Sequence, residues 1–335
     1  MDATEIVMTA KGGPDVLRMR QRTLPLLRAG EALVRVEAAG VSFAERQMLR
    51  GRYFAQPRFP FVPGYDVVGT VEEVGPGVRD VAVGQRVAAL TQTGGWADRV
   101  ILPAATLAPV PEGVDPAHAV AVVTNGVTAW QMVHRVARVR PGQTVLVHGA
   151  SGGVGTLLVQ LARLAGARAI GTASAAKHAE VRALGAIPLD YRADDVPARV
   201  RELAPGGVDA VFDHLAGPGL IDSWRMLGHG GTLACYGVAS ALNARGHRLL
   251  PFLPILGRML VWNLLPNGRS ATFYFVMRWP KFFRPDLARV LALLADRQID
   301  ARVARQFPLE RANDALGLLE CGEVGGKIVL VPASA

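Results

Sequence analysis

Thr144-Val-Leu-Val-His-Gly-Ala-Ser-Gly-Gly-Val-Gly155 is an apolar strand running into a glycine-rich turn, and the run that follows, Thr156 to Leu164, has helical periodicity. A phosphate-binding turn needs glycine where the backbone approaches a pyrophosphate and where the helix presses on the strand. It also offers helix N–H groups to the anion. Gly152 and Gly155 take the second and third positions of the G-x-G-x-x-G pattern; Ala150 stands at the first, with Ser151, Gly153 and Val154 between. Strand before and helix after make the segment a dinucleotide cradle, with an unliganded strand-to-helix turn as the plainer alternative.

A bound dinucleotide places its adenosine ribose at the end of the second strand, about 20 residues on. That strand is Ala167-Arg-Ala-Ile-Gly-Thr-Ala173, and no carboxylate stands at its tip to hold ribose hydroxyls or repel a phosphate. Ser174, Lys177 and His178 stand there instead, and Tyr191-Arg192 ends the third strand with a ring and a guanidinium. The missing acid and the added base predict NADP(H) over NAD(H), although Lys177 alone also reads as a solvated helix residue.

The 335 residues are enough for two domains with ample core, and half of them are hydrophobic. The net charge of +9 comes almost wholly from scattered arginines, since lysine occurs only at positions 11, 177, 281 and 327. Outside Arg245 to Arg305 there is no clustered basic patch with interleaved aromatics, so nucleic acid is not an expected partner. Two cysteines, Cys235 and Cys321, make no disulfide framework, and Met1-Asp-Ala-Thr-Glu5 lacks the basic and apolar regions of a signal peptide; both fit the cytoplasm. The most apolar stretch, Leu249 to Leu265, is broken by Pro251, Pro254 and Arg258. It reads as a buried or pocket-lining helix, with a helix lying on a membrane surface as the alternative.

Before residue 120 the pattern is of strands and turns: Ala32–Ala38, Tyr65–Val74 and Gln85–Leu90. From Val123 to Val238 strands alternate with helices (Val145–His148, Arg168–Thr172, Ile187–Tyr191, Asp209–Asp213, Thr232–Tyr236), which means a parallel sheet with crossover helices. Ala271–Val276 gives a sixth strand, Asp286–Asp296 a helix, and Lys327–Val331 a last strand that rejoins the first domain. The reading is an α/β chain in three parts, 1–122, 123–276 and 277–335.

Pro63-Gly-Tyr-Asp-Val-Val-Gly69, Gly149-Ala-Ser-Gly-Gly-Val-Gly155 and Gly326-Lys-Ile-Val-Leu330 together resemble the medium-chain dehydrogenase/reductases over nearly the full length. Within them the chain is similar to the zinc-free quinone oxidoreductases that include zeta-crystallin. Phe61–Gly69 and Asn263-Leu-Leu-Pro-Asn-Gly-Arg269 also resemble the vesicle amine transport protein branch. The resemblance implies a GroES-like β domain beside a Rossmann doubly wound parallel sheet domain, an active site in the cleft between them, and a homodimer joined through the Rossmann sheet edges.

Zinc is excluded on the residues: where zinc alcohol dehydrogenases carry a ligand cysteine and a His-Glu pair, this sequence has Ser42 and Tyr65-Asp66, and its histidines are isolated. Without a metal Lewis acid, the accessible chemistry is hydride delivery to a carbon already activated by conjugation, as in quinones, enones and enals. The resemblance places the substrate pocket on Ser42, Phe43, Glu45, Gln47 and Tyr53. Tyr53 is the expected hydrogen-bond donor to the developing oxyanion, with a structural tyrosine as the alternative. In the better-known quinone reductases the positions of Ser42 and Gln47 are commonly Asn and Tyr, a departure that bears on quinone specificity. Asn125-Gly-Val-Thr-Ala-Trp130 matches the segment bordering the nicotinamide, with Thr128 as the polar contact, and Gly237 and Val238 are expected to pass close to that ring. Asp213, ending the fourth strand, is expected to cap a turn.

Short-chain dehydrogenases also use a glycine-rich turn, but theirs lies near the N-terminus and none of the five tyrosines here has Lys four residues later. A third reading is a nucleotide-binding, membrane-associated protein of the vesicle amine transport type with little turnover.

Overall fold

The computed structural model describes residues 1–238, 250, 252–321 and 324–333. The chain falls into two compact units, Met1–Val127 with Trp279–Ala335, and Thr128–Arg278.

The path opens with strands β1 (Asp2–Met8), β2 (Leu17–Thr23) and β3 (Glu31–Val41), the short helix α1 (Phe43–Leu49), then β4 (Asp66–Val74), β5 (Arg86–Leu90), β6 (Arg99–Pro103) and β7 (Ala108–Pro109). Helix α2 (Pro116–Gln131) leads to β8 (Thr144–Val147), α3 (Gly153–Leu164), β9 (Arg168–Ala173), α4 (His178–Ala183), β10 (Ile187–Asp190), α5 (Val196–Leu203), β11 (Val208–Asp213), α6 (Leu220–Arg225) and β12 (Leu227–Cys235). After α7 (Phe252–Asn263) and β13 (Ser270–Phe273), helix α8 (Pro280–Ala295), β14 (Val303–Pro308), α9 (Ala312–Cys321) and β15 (Lys327–Val331) complete the chain.

In the first unit β1 and β2 form a hairpin, and a seven-stranded sheet runs β14-β15-β3-β4-β5-β7 with β6 also paired to β3. The last strand does rejoin the first: β15 lies antiparallel to β3 with Ile328 opposite Val41.

In the second unit all six strands are parallel, in the order β10-β9-β8-β11-β12-β13. The order reverses on either side of β8, which puts the ligand crevice of a doubly wound sheet at the carboxyl end of that strand. The strands are short apolar runs because both faces are covered; Leu146, Ile170, Val211 and Leu233 are all essentially inaccessible. Leu157, Leu158, Leu161 and Ala162 give α3 the apolar stripe that packs on β8 and β9.

Three expectations shift. The sixth strand ends at Phe273 rather than Val276, where a short 3-10 turn, Val276–Arg278, follows. Helix α8 starts six residues before Asp286, because Pro280 occupies its first turn, where a missing N–H costs nothing. Within Leu249 to Leu265, residues 249 and 251 lie outside the described residues and the helix is Phe252–Asn263, but it is not buried: Ile255 and Met259 face the core while Leu253, Leu256, Leu260, Val261 and Leu264 are exposed. Periodicity alone reads such a run as core, since it cannot say what covers the second face.

Candidate functional site

The carboxyl end of β8 turns sharply at Gly149, which has φ +67° and is the residue that needs glycine for its backbone. The turn glycine is therefore one position ahead of Ala150, where the motif places it. Ala150 is fully buried, and its N–H donates to the Thr172 carbonyl at 2.9 Å. Gly152 donates to the Gly149 carbonyl at 2.9 Å, and a Cβ on Gly155 would stand 2.1 Å from the same oxygen. Helix α3 starts at Gly153 on an N-cap glycine that supplies no side-chain bond. The first-turn N–H groups around Gly153, Val154 and Gly155 thus lack a side-chain acceptor at a positive dipole end, beside the half-buried Gly152–Val154 surface. An anionic pyrophosphate fits this cradle, and a side chain at Gly155 would strike the Gly149 backbone that shapes it.

A buried hydrogen-bonded chain sets the turn from below. The Gly149 N–H donates to Thr172 Oγ1 at 3.1 Å; that hydroxyl lies 3.3 Å from His148 Nδ1, and His148 Nε2 lies 3.1 Å from Ser223 Oγ. Ser223 donates to Asp213 Oδ2 at 2.7 Å, while Asp213 Oδ1 accepts from the Leu215 and Ala216 N–H groups, the turn-capping role expected of it. Because Ser223 gives its proton to the carboxylate, it accepts from His148 Nε2–H, and His148 Nδ1 accepts from Thr172. Burial holds His148 below the ordinary imidazole value, against the pull of Asp213, so the ring is neutral. Ser, His and Asp here form a scaffold and not a nucleophilic triad, since the hydroxyl points at the acid. Thr172 and Ser223 were not singled out from sequence; only the position of Thr172 near a strand's carboxyl end hinted at it.

On the β9–β10 side, Ser174 follows β9 and begins the 3-10 turn Ala175–Lys177, with the Lys177 N–H bonded to the Ser174 carbonyl at 2.9 Å. Tyr191 follows β10, half exposed, with the Arg192 guanidinium 5.4 Å from its ring centroid. Since β9 and β10 are adjacent, Ser174, Lys177, Tyr191 and Arg192 belong to one end of one sheet. Thr128 is buried in the last turn of α2. Gly237 passes against the His214 backbone, where a Cβ would lie 2.7 Å from the His214 carbonyl. Val238, the next residue, packs its side chain in the hydrophobic cluster that includes Leu233 and Ile255.

In the first unit Ser42 caps α1. It forms a capping box with Glu45: the Ser42 N–H donates to Glu45 Oε2 at 2.9 Å, the Ser42 hydroxyl also bonds that oxygen, and Ser42 Oγ accepts from the Ala44 N–H at 3.2 Å. Phe43 and Gln47 are half-buried on the same helix. Glu45 is fully buried and its Oε1 makes no hydrogen bond. Burial pushes its carboxyl up to about 7, opposed by the Ser42 hydrogen bond and by Lys327, with Asp66 adding to the rise.

Tyr53 Oη lies 2.7 Å from Tyr65 Oη, with the two rings edge to face. Burial raises both phenols above the ordinary value, and Glu45 adds to each shift, so both keep their protons. In sequence Tyr65 marks a strand start, a family motif and a missing zinc ligand; its pairing with Tyr53 is a contact between loops that no local pattern signals. Asp66 is buried against Lys327 Nζ at 2.9 Å and accepts the Thr124 N–H at 3.3 Å. A zinc ion does not fit this set: Ser42 and Tyr65 are hydroxyls engaged with Glu45 and Tyr53, and Asp66 is neutralised by a lysine. Among the described residues no group of three or more His, Cys, Asp or Glu is placed to hold a metal ion.

Residues 28–112 match the Alcohol dehydrogenase GroES-like domain, and residues 184–330 match the family described as Zinc-binding dehydrogenase. The mouse Synaptic vesicle membrane protein VAT-1 homolog is 30% identical over 98% of this chain and 83% of its own length. The 2-haloacrylate reductase of a Burkholderia species is 32% identical over 97% of this chain and 98% of its own. Among solved structures, the mycobacterial protein Rv1454c complexed with NADPH superposes with a TM-score of 0.85 at 32% identity, over 98% of this chain and all of that one. A Pseudomonas syringae quinone oxidoreductase gives a TM-score of 0.85 at 28% identity, again over 98% and 100%.

Proposed function

This chain belongs to the medium-chain dehydrogenase/reductase family, in its quinone oxidoreductase-like group, as an NADPH-dependent oxidoreductase, and from that premise we propose that it reduces quinones or α,β-unsaturated carbonyl compounds without zinc. NADPH supplies the hydride; the residues to hold it are the α3 turn from Ala150 to Gly155, with Ser174, Lys177 and Tyr191 toward the 2′-phosphate and Thr128 and Gly237 toward the nicotinamide.

The observation that carries the substrate class is the hydrogen-bonded Tyr53–Tyr65 pair, in which Tyr65 stands where a zinc dehydrogenase has a ligand. A phenol that stays protonated donates to a carbonyl oxygen as charge accumulates there, and Tyr65 supports it by donating to Tyr53 in turn. A hydrogen-bond donor of this strength assists addition to a conjugated carbon and supplies nothing comparable to a Lewis acid for oxidising a simple alcohol.

The test is NADPH oxidation by protein dialysed against a chelator, with a panel of quinones, enones, enals, a 2-haloacrylate and simple alcohols offered with NADP⁺. Turnover of a conjugated acceptor and none of the alcohols supports the reading; alcohol oxidation restored by zinc overturns it.

A second reading, a membrane-associated nucleotide-binding protein, is favoured by α7. Its exposed leucines form an apolar stripe, and between Asp222 and Asp286 the sequence holds no acidic residue while Arg258 and Arg269 flank that stripe. No helix among the described residues is long and apolar enough to cross a membrane, so such contact would be peripheral. Co-sedimentation with vesicles rich in phosphatidylserine, without turnover of any acceptor, would favour this reading. The homodimer that the medium-chain dehydrogenase/reductase resemblance implies belongs to the first reading, through β13, a terminal strand of its sheet.

A further inference from the structure

Three neighbouring strands of the first unit meet at one edge of their sheet: β3 runs out at Val41, β4 starts at Asp66 and β15 at Lys327. Ile328 stands opposite Val41 and Ala39 opposite Val67, so the register carries Ser42, Tyr65, Asp66 and Lys327 to that edge. The packing is close enough that a Cβ on Gly40 would strike both Asp66 Oδ1 and Lys327 Cε. Ser42 opens α1 and holds Glu45 by its N–H and its hydroxyl, while Tyr65 holds Tyr53 by its own hydroxyl.

Glu45 is the member of this cluster with something to give. Its Oε2 takes both Ser42 bonds, and its fully buried Oε1 bonds no protein group. The surrounding cations are engaged elsewhere. Lys327 pairs with Asp66 at 2.9 Å, and Arg46 and Arg50 turn to α9, 3.4 Å from the Glu320 carbonyl and 2.7 Å from its carboxylate. From α2, the Thr124 N–H also goes to Asp66. Burial therefore outweighs the pull of Ser42 and Lys327, and Glu45 keeps its proton up to about pH 7. It lies within electrostatic reach of both phenols, whose own protons are held more tightly still.

We propose that Glu45 is the proton store of the tyrosine pair: once Tyr53 has given its proton to the reduced substrate, Glu45 restores it by way of Tyr65. Glu45 touches neither substrate nor cofactor and acts through the phenols. With NADPH as the hydride source, two electrons and one hydrogen reach the β-carbon, and the enolate left behind takes H⁺ from Tyr53 Oη. Tyr65 returns a proton across its 2.7 Å bond to Tyr53, and the Glu45 carboxyl replaces that proton and becomes a carboxylate. Solvent then reprotonates Glu45, so each cycle adds one hydride and one proton across the double bond. The transfer runs downhill because a carboxylic acid is a stronger acid than either buried phenol, and an acid that titrates near the working pH is readily refilled.

The inference rests on reading Tyr53 as the donor in reduction of a conjugated acceptor, and stopped-flow and steady-state kinetics with an enone and saturating NADPH test it. Glu45→Gln keeps an oxygen for the Ser42 N–H and removes the stored proton. It is expected to complete its first turnover at the parent rate, from a Tyr53 that starts protonated, and then to settle into a steady state about tenfold slower. Parent kcat should fall as pH rises through about 7. Glu45→Gln should lose that break, and Glu45→Asp, which keeps an acid, should regain both the break and most of kcat. A first turnover slowed as much as kcat would make Glu45 a structural cap only. A parent profile flat from about pH 5 to 9, which needs no variant to fold, would mean that no stored proton enters the cycle. Either result overturns the inference. Failure of the underlying reading shows differently: the parent reduces no conjugated acceptor, or Tyr53→Phe reduces it at the parent rate.

Discussion

The Gly149 carbonyl oxygen stands so close to the Gly155 α-carbon that a Cβ there would lie 2.1 Å from it, well inside contact distance. The clash is with backbone, which no rotamer change relieves. Gly155→Ala is therefore expected to push α3 away from β8, displacing the N–H groups of its first turn. NADPH affinity, measured by nicotinamide fluorescence, should fall at least roughly tenfold. Parent-like affinity with an unchanged melting temperature would mean that the turn is not the phosphate site.

Glu45 makes stability depend on pH in a defined direction. Its carboxyl is pushed up to about 7 from an ordinary 4.5, so the folded state holds the proton more tightly than the unfolded chain does. The contribution is complete below about 4.5 and is lost as pH rises through about 7, by on the order of 3 kcal/mol. Glu45→Gln should flatten that part of the profile in urea titrations at pH 5 and 8. An identical pH dependence in parent and variant would show that Glu45 is ionised throughout.

Removing one hydroxyl of the tyrosine pair separates chemistry from stability. Tyr53→Phe leaves the Tyr65 hydroxyl buried without its partner, at a cost of about 1–3 kcal/mol, and should lower kcat for an enone by roughly tenfold to a hundredfold. Tyr65→Phe leaves the Tyr53 donor in place and should reduce kcat less. Unchanged enone reduction in Tyr53→Phe would remove Tyr53 from the mechanism.

The 2′-phosphate should be read by Lys177 at the end of the β9 turn. Lys177→Ala is expected to raise the Kd for NADPH about tenfold, as the loss of one charged contact, and to leave that for NADH within a factor of about two. Equal losses for the two nucleotides would mean that Lys177 supports the turn instead.

How much of this was legible in the sequence depends on the range of each signal. The parallel sheet was readable because short apolar strands alternating with amphipathic helices are local patterns, and Gly152 and Gly155 were readable because the cradle fixes their spacing. Gly149 was missed as the turn residue because the pattern is written one position later, and only its φ of +67° shows which glycine makes the bend. Tyr65 escaped for another reason: its meaning comes from contact with Tyr53, a residue of another loop, and an isolated Tyr carries no periodicity. The exposed face of α7 was misread because a run of leucines announces apolar surface without saying what meets it.

The central claim is metal-independent hydride transfer from NADPH to a conjugated carbon. Its most direct test is single-turnover reduction of an enone by chelator-dialysed protein, using NADPH carrying deuterium at both hydrogens of nicotinamide C4, with mass spectrometry of the product. The account predicts one deuterium at the β-carbon and no change in rate on adding zinc. Absence of label from the β-carbon, or turnover that appears only with added zinc, would contradict it.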